Sequence, residues 1–140
     1  MRLSDTVIRK FAGTDRAEVI ALWQAVLPDT QAHKQPDPVI DAKLAVDDML
    51  YVAVQNGKVV GTAMAGYDGH RGGLYPVAVY PQCKRQGIAS ELVRAAVDAL
   101  KARGCLKVNL QVRAGNEAVI GFYRSLGFDT EARTSMGIRI

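Results

Sequence analysis

The chain has 140 residues, 49% hydrophobic and 23% charged, with a net charge of +4 and a pI near 9.2. That length and composition fit a single globular domain over 1–140, large enough to bury a core without disulfides or a structural metal. The cations are scattered with no run of five, which argues against nucleic acid as a ligand despite the basic pI. No apolar run reaches the roughly 18 residues a membrane span needs, and the N-terminal MRLSDTVIRKF lacks the apolar stretch of a secretory signal. Cys83 and Cys105 form no CxxC pair, as expected for a reducing, cytoplasmic setting.

TVIRKF, residues 6–11, alternates weakly and predicts a strand. GTDRAEVIALWQAVL follows at helical spacing. Thr14 or Asp15 is the expected N-cap, with Glu18 three residues after Asp15 and a stop at Pro28. PDTQAHKQPDP, with three prolines in eleven residues, predicts a loop, and VIDAKLAVDD a second helix from Val39. In MLYVAVQNGKVVGTAMAGY, Asn56-Gly57 between two apolar runs predicts a tight hairpin, because both turn positions need positive φ. DGHRGG makes a second turn into LYPVAVY, completing a meander of three strands.

The period then changes. Ile88, Leu92, Val93, Ala96, Val97 and Leu100 share one helical face, and Gly104 is the expected stop. LKVNLQVR returns to alternation, so Leu74 to Val112 reads strand, helix, parallel strand. A short helix over Glu117 to Leu126 ends at Gly127, and short strands are expected to finish the chain.

Two stretches carry chemistry. YPQCKRQGIAS sets Lys84, Arg85 and Gly87 where a strand turns into a helix. A helix N-terminus offers unpaired N–H groups and partial positive charge, and Gly87 leaves the backbone open, so these are the parts of an anion cradle. The bland reading is a strand-to-helix turn with solvated cations. Neither GxxxxGK[ST] nor GxGxxG is present. In NEAVIGFYRSLGF, Asn116 is suited to cap the short helix, while Val119, Phe122, Tyr123 and Leu126 fall on one apolar side. By itself Tyr123 reads as a core aromatic.

Taken together, strand, Lys84-Arg85-Gln86-Gly87-Ile88-Ala89, helix, strand, then Asn116 through Tyr123 to Gly127-Phe128 resembles the GNAT superfamily of N-acetyltransferases, most closely its small bacterial members. The resemblance covers nearly the whole chain. It implies an α/β (α+β) fold: a mixed, mostly antiparallel twisted sheet of six or seven strands, a central parallel βαβ unit and about four helices. It implies acetyl-CoA as cosubstrate, direct acetyl transfer to a primary amine in a ternary complex, and no metal. Backbone groups of Val77, Ala78 and Val79 would pair with the pantetheine arm. Lys84, Arg85, Gln86, Gly87, Ile88, Ala89 and Ser90 would hold the pyrophosphate, with Asn116 touching the cofactor or a bound water. Tyr123 would protonate the departing thiolate as general acid.

The acceptor, a small amine or a protein N-terminus, is left open, as is a homodimer. The strand LYPVAVY lacks the carboxylate some members use as a base, so Asp68 and His70 in the preceding turn become the base candidates, against a plain turn role. Lys84 stands where the family usually has Gln or Arg, and Pro76 is expected to mark the family's bulge in this strand. Cys83 beside Lys84 is weak as a reactive thiol, and Trp23 fits acceptor site or core equally. A non-catalytic acyl-CoA-binding domain on the same fold is the alternative.

Overall fold

The structure is a computed structural model that describes residues 5–27 and 32–140. The chain divides into two compact units, Met1–Leu110 and Gln111–Ile140.

The first unit holds a six-stranded sheet, antiparallel except for one pair. Strand β1 (Thr6–Lys10) pairs with β2 (Leu50–Gln55), which pairs with β3 (Lys58–Tyr67). The β2–β3 turn forms as expected: Asn56 and Gly57 take φ of 51° and 75°. Between β1 and β2 run helices α1 (Arg16–Val26) and α2 (Pro36–Val46). Leu50 and Val52 of β2 form a core cluster with Val19, Leu22 and Trp23 of α1 and Ile40 of α2. Tyr51, between them on the opposite face, borders a groove with α3 (Ile88–Ala102). Strand β2 is therefore covered on both sides, which is why it is apolar without alternation.

Three local expectations are corrected. Asp15 is not the side-chain cap of α1, nor is Glu18 its capping-box partner. Asp15 instead accepts the Ala12 N–H at 2.8 Å and both guanidinium nitrogens of Arg9 at 2.7 and 2.9 Å. Glu18 accepts the Val59 N–H at 2.8 Å, beside an irregularity in the β2–β3 ladder. Helix α2 begins at Pro36, earlier than Val39, since Pro36 and Pro38 fall in a first turn whose N–H groups have no helical partner to lose. Residues 28–31 of the predicted loop lie outside the described residues.

LYPVAVY is not one strand. Strand β4 (Gly72–Leu74) pairs with β3 and, in parallel, with β6 (Val108–Leu110); β5 (Ala78–Val79) pairs with β3 alone. Leu74 opposes Ala65 and Ala78 opposes Thr62. Between these rungs one strand advances four residues and its partner three, so a single extra residue lies in Tyr75–Val77. Tyr75 still donates to Met64 at 2.9 Å, which puts the irregularity at Pro76 and Val77, as Pro76 had suggested. Strand β6 is shorter than LKVNLQVR because β4 offers it only three rungs, and Leu106 is 97% exposed.

In the second unit, α4 (Glu117–Ser125) is capped by Asn116, whose side chain accepts the Val119 N–H at 3.3 Å. Gly127, at φ 97°, follows its end. The short strands expected to finish the chain do not form, although Met136, Ile138 and Ile140 alternate there. An apolar alternation makes a strand only where a ladder receives it, and these three side chains stay exposed. Among the described residues no helix is long and apolar enough to cross a membrane.

Candidate active site

The bulge creates an unusual edge. Tyr80 donates to Val60 at 3.1 Å, so by antiparallel alternation Ala78 also faces β3, while the N–H and C=O of Val79 turn the other way. No strand among the described residues pairs with that outer edge of β5. Ala78 and Val79 are buried side chains on an open backbone. Gly61 makes the close packing possible: a Cβ there would meet Ala78 O and Leu92 Cδ1 at 3.0 Å and Val79 Cγ2 at 3.2 Å.

From this edge the chain passes through a 3-10 turn, Pro81–Cys83, and then twists. Arg85 takes φ 65° and Gly87 φ 78°, both left-handed, immediately before α3. Glycine accepts this freely, whereas arginine does so at a cost of about 1 kcal/mol or more. Helix α3 has no side-chain cap, and its first helical bond runs from the Glu91 N–H to Gly87 O. The six amides of Arg85 to Ser90 therefore meet no acceptor among the described residues. Alternating backbone hands and a helix N-terminus together aim successive N–H groups at one concavity suited to an anion. Lys84 and Arg85 are exposed and make no side-chain hydrogen bond or ion pair among the described residues. Lys84, Arg85, Gly87, Ile88, Ala89 and Ser90 thus lie together as one anion-attracting loop continuous with Val77 to Val79.

Gln86 differs. Its side chain turns inward, and Oε1 accepts from Gln55 Nε2 at 2.8 Å. Gln55 is 5% exposed and also donates to Thr6 Oγ1 at 2.8 Å; its own Oε1 lies 4.0 Å from Cys83 Sγ. Sequence reasoning missed Gln55, which reads as an ordinary polar residue entering a hairpin. Its only signal was a polar side chain closing a run of apolar ones.

Asp68 and His70 occupy an exposed turn. Asp68 Oδ1 accepts the N–H groups of His70 and Arg71, each at 2.7 Å, and these bonds, Arg71's first, hold its carboxyl below the usual range. An acidic carboxylate already engaged with two amides is a weak proton acceptor. Trp23 is 8% exposed in the core, and its indole N–H is satisfied by Thr62 Oγ1 at 2.8 Å, a structural role. Cys83 and Cys105 are buried free thiols. No group of three or more His, Cys, Asp or Glu suited to a metal occurs among the described residues.

Tyr123 is 8% exposed and stacks edge-on with Phe122 and Phe128 at centroid distances of 5.0 and 5.5 Å. Burial pushes its phenol above the usual value near 10. Its hydroxyl has no hydrogen-bond partner among the described residues. The ring is packed, while the hydroxyl oxygen stays open to solvent at its tip. Asn116 is exposed, with its side chain engaged as the cap of α4.

The acetyltransferase (GNAT) family profile matches residues 16–128. An acetyltransferase of Yersinia pseudotuberculosis is 40% identical over 134 residues, covering 95% of this chain and 94% of its own length. Among solved structures, the ribosomal-protein alanine N-acetyltransferase of Escherichia coli superposes with a TM-score of 0.77 at 27% identity, over 91% of this chain and 79% of that one. A GNAT-family acetyltransferase of Streptococcus pneumoniae gives 0.76 at 26% identity, over 96% and 98%. With six strands and the antiparallel-to-parallel change that the sequence resemblance implied, the chain belongs to the GNAT family of acetyltransferases.

Proposed function

We propose that the chain moves an acetyl group from acetyl-CoA to a primary amine by direct attack in a ternary complex. The observation that carries this is the run of acceptor-free amides from Arg85 to Ser90 beside the open edge of β5. The pyrophosphate would lie on those amides with Lys84 and Arg85 adding charge, and the amide groups of pantetheine would lie as an added strand along Val77, Ala78 and Val79, bonding to the outward groups of Val77 and Val79 because Ala78 is turned to β3. Pairing by backbone alone asks only for small apolar side chains, as these three are.

In the reaction the amine nitrogen bonds to the acetyl carbon and the C–S bond breaks. The thiolate takes the proton of Tyr123, and the attacking nitrogen releases one of its own. A phenol held neutral by burial keeps that proton at pH 7. For the nitrogen's proton, the engaged carboxylate of Asp68 is a poor acceptor, and the exposed His70 is the better-suited side chain of that turn. Asn116, already the cap of α4, would reach the cofactor through a water. The acceptor is a small-molecule amine or a protein N-terminus.

The test is thiol release from acetyl-CoA across a panel of amines and peptides, with Tyr123→Phe alongside. Acceptor-dependent release that falls about a hundredfold in the variant supports the assignment. Tight CoA binding without turnover on any acceptor would favour the binding-domain alternative, for which the absence of a carboxylate on β4 and β5 speaks. No CoA binding would overturn both.

A further inference from the structure

Gln55 lies outside the motif, on the last position of β2, yet it reaches the centre of the anion loop. Its amide is 5% exposed and uses both N–H groups, one on Gln86 Oε1 and one on Thr6 Oγ1, each at 2.8 Å. Gln86 is the residue between Arg85 and Gly87, the two positions with left-handed backbone. A non-glycine residue in that region relaxes unless its surroundings hold it. Neither flanking side chain supplies a polar hold, since Arg85 is exposed and makes no side-chain hydrogen bond or ion pair among the described residues, and Gly87 has no side chain. Among the described residues the Gln86–Gln55 bond is the side-chain tether from the sheet to this segment, and Cys83 Sγ, 4.0 Å from Gln55 Oε1, lies over the same amide from the start of the loop.

We propose that Gln55 is a positioning residue for the cofactor: it fixes the Gln86 backbone so that the amides of Arg85 to Ser90 converge on one anion before the ligand arrives. This rests on the acetyl-CoA reading above. A tether that preorganises phosphate binding should affect ligands that carry the pyrophosphate and leave ligands that lack it alone. It should also act as a unit with Gln86, because removing either side chain breaks the same tether to the loop.

The experiment compares acetyl-CoA with acetyl-pantetheine, which keeps the thioester and the amide arm but has no pyrophosphate. Gln55→Met retains the side chain's length and removes its donors. The expected result is a KM for acetyl-CoA raised about tenfold with kcat within twofold of wild type, and kcat/KM for acetyl-pantetheine within twofold of wild type. Gln86→Met should give the same selective loss, and the double variant should be no worse than either single one. Because both ligands are measured on the same preparation, a reduced folded fraction cancels in the comparison. Equal losses with both ligands would mean that Gln55 acts through the fold, and no loss with either would mean that the loop needs no tether; each overturns the proposal while leaving the acetyl-CoA reading in place. Additive losses in the double variant overturn it as well. A wild-type protein that binds neither acetyl-CoA nor CoA removes the reading itself.

Discussion

At the scale of single residues, the contrast between Tyr123 and Asp15 is instructive. Both are buried and both carry a displaced proton equilibrium, in opposite directions and for different reasons. Tyr123 is pushed up by burial alone, so any loss of activity from its ionisation belongs above pH 10. A pH–rate profile should show that alkaline limb in the wild type and lose it in Tyr123→Phe. Asp15 is pulled down, first by its hydrogen bond to Arg9 and then by the Ala12 N–H, against the opposing effect of burial. A lowered carboxyl stabilises the fold above its unfolded value near 3.8, and that contribution disappears as pH falls through the lower folded value. Asp15→Asn should therefore cost about 1–2 kcal/mol in denaturant titrations at pH 7, a figure already reduced because the Arg9 side chain is 41% exposed. The gap to wild type should close below about pH 4. The sequence offered Asp15 as a helix cap. Nothing in a local pattern tells a carboxylate to prefer an arginine six residues back over the amides just ahead.

Among elements, legibility followed how local each determinant is. The Asn56-Gly57 hairpin and α3 were readable because their conditions are met within a few residues: two positive φ angles in one, a continuous apolar face ending before Gly104 in the other. Strands β4, β5 and β6 were not, since their lengths are set by partners. β4 is cut short by a proline whose effect depends on its neighbours, and β6 can extend only as far as β4 does. The anion loop was legible as composition, through Lys84, Arg85 and Gly87, but its left-handed Arg85 and its tether to Gln55 were not. Gly61 makes a prediction at this scale. Alanine there would press on Ala78 O and on Leu92, pushing β5 and α3 away from β3. Gly61→Ala should lower stability by about 1–3 kcal/mol in a melt and weaken CoA binding in a titration, because the displaced elements are the two that flank the loop.

For the molecule as a whole, the net charge of +4 acts as a field rather than as a site. Much of the basic surface is neutralised locally: Lys10 and Arg103 share Asp48, Arg16 bridges Asp37 and Asp41, and Arg94 pairs with Glu91. Lys84 and Arg85 are left exposed at the loop with no ion pair among the described residues. The KM for acetyl-CoA should therefore rise several-fold as salt goes from about 0.05 to about 0.5 M, while that for acetyl-pantetheine stays nearly flat. Binding to duplex DNA should be weak at physiological salt, which a mobility-shift titration checks.

The extra residue at Pro76–Val77 gives the site an arithmetic character. A strand counts in twos, and one insertion inverts which face each later residue shows and which way its amide points. Leu74 and Val79 share a face although they are five positions apart, because one residue between them is extra. Chemistry at Val77, Ala78 and Val79 is accordingly interchangeable while number is not. A library of every substitution and every single-residue deletion across 75–79 should tolerate exchanges among small apolar residues at 77–79. Any one deletion from 75–77 should close the edge, giving a protein at least as stable as the parent that no longer admits a cofactor. The information stored in this stretch is parity, a property that no substitution among small apolar residues erases and that the loss of one residue removes.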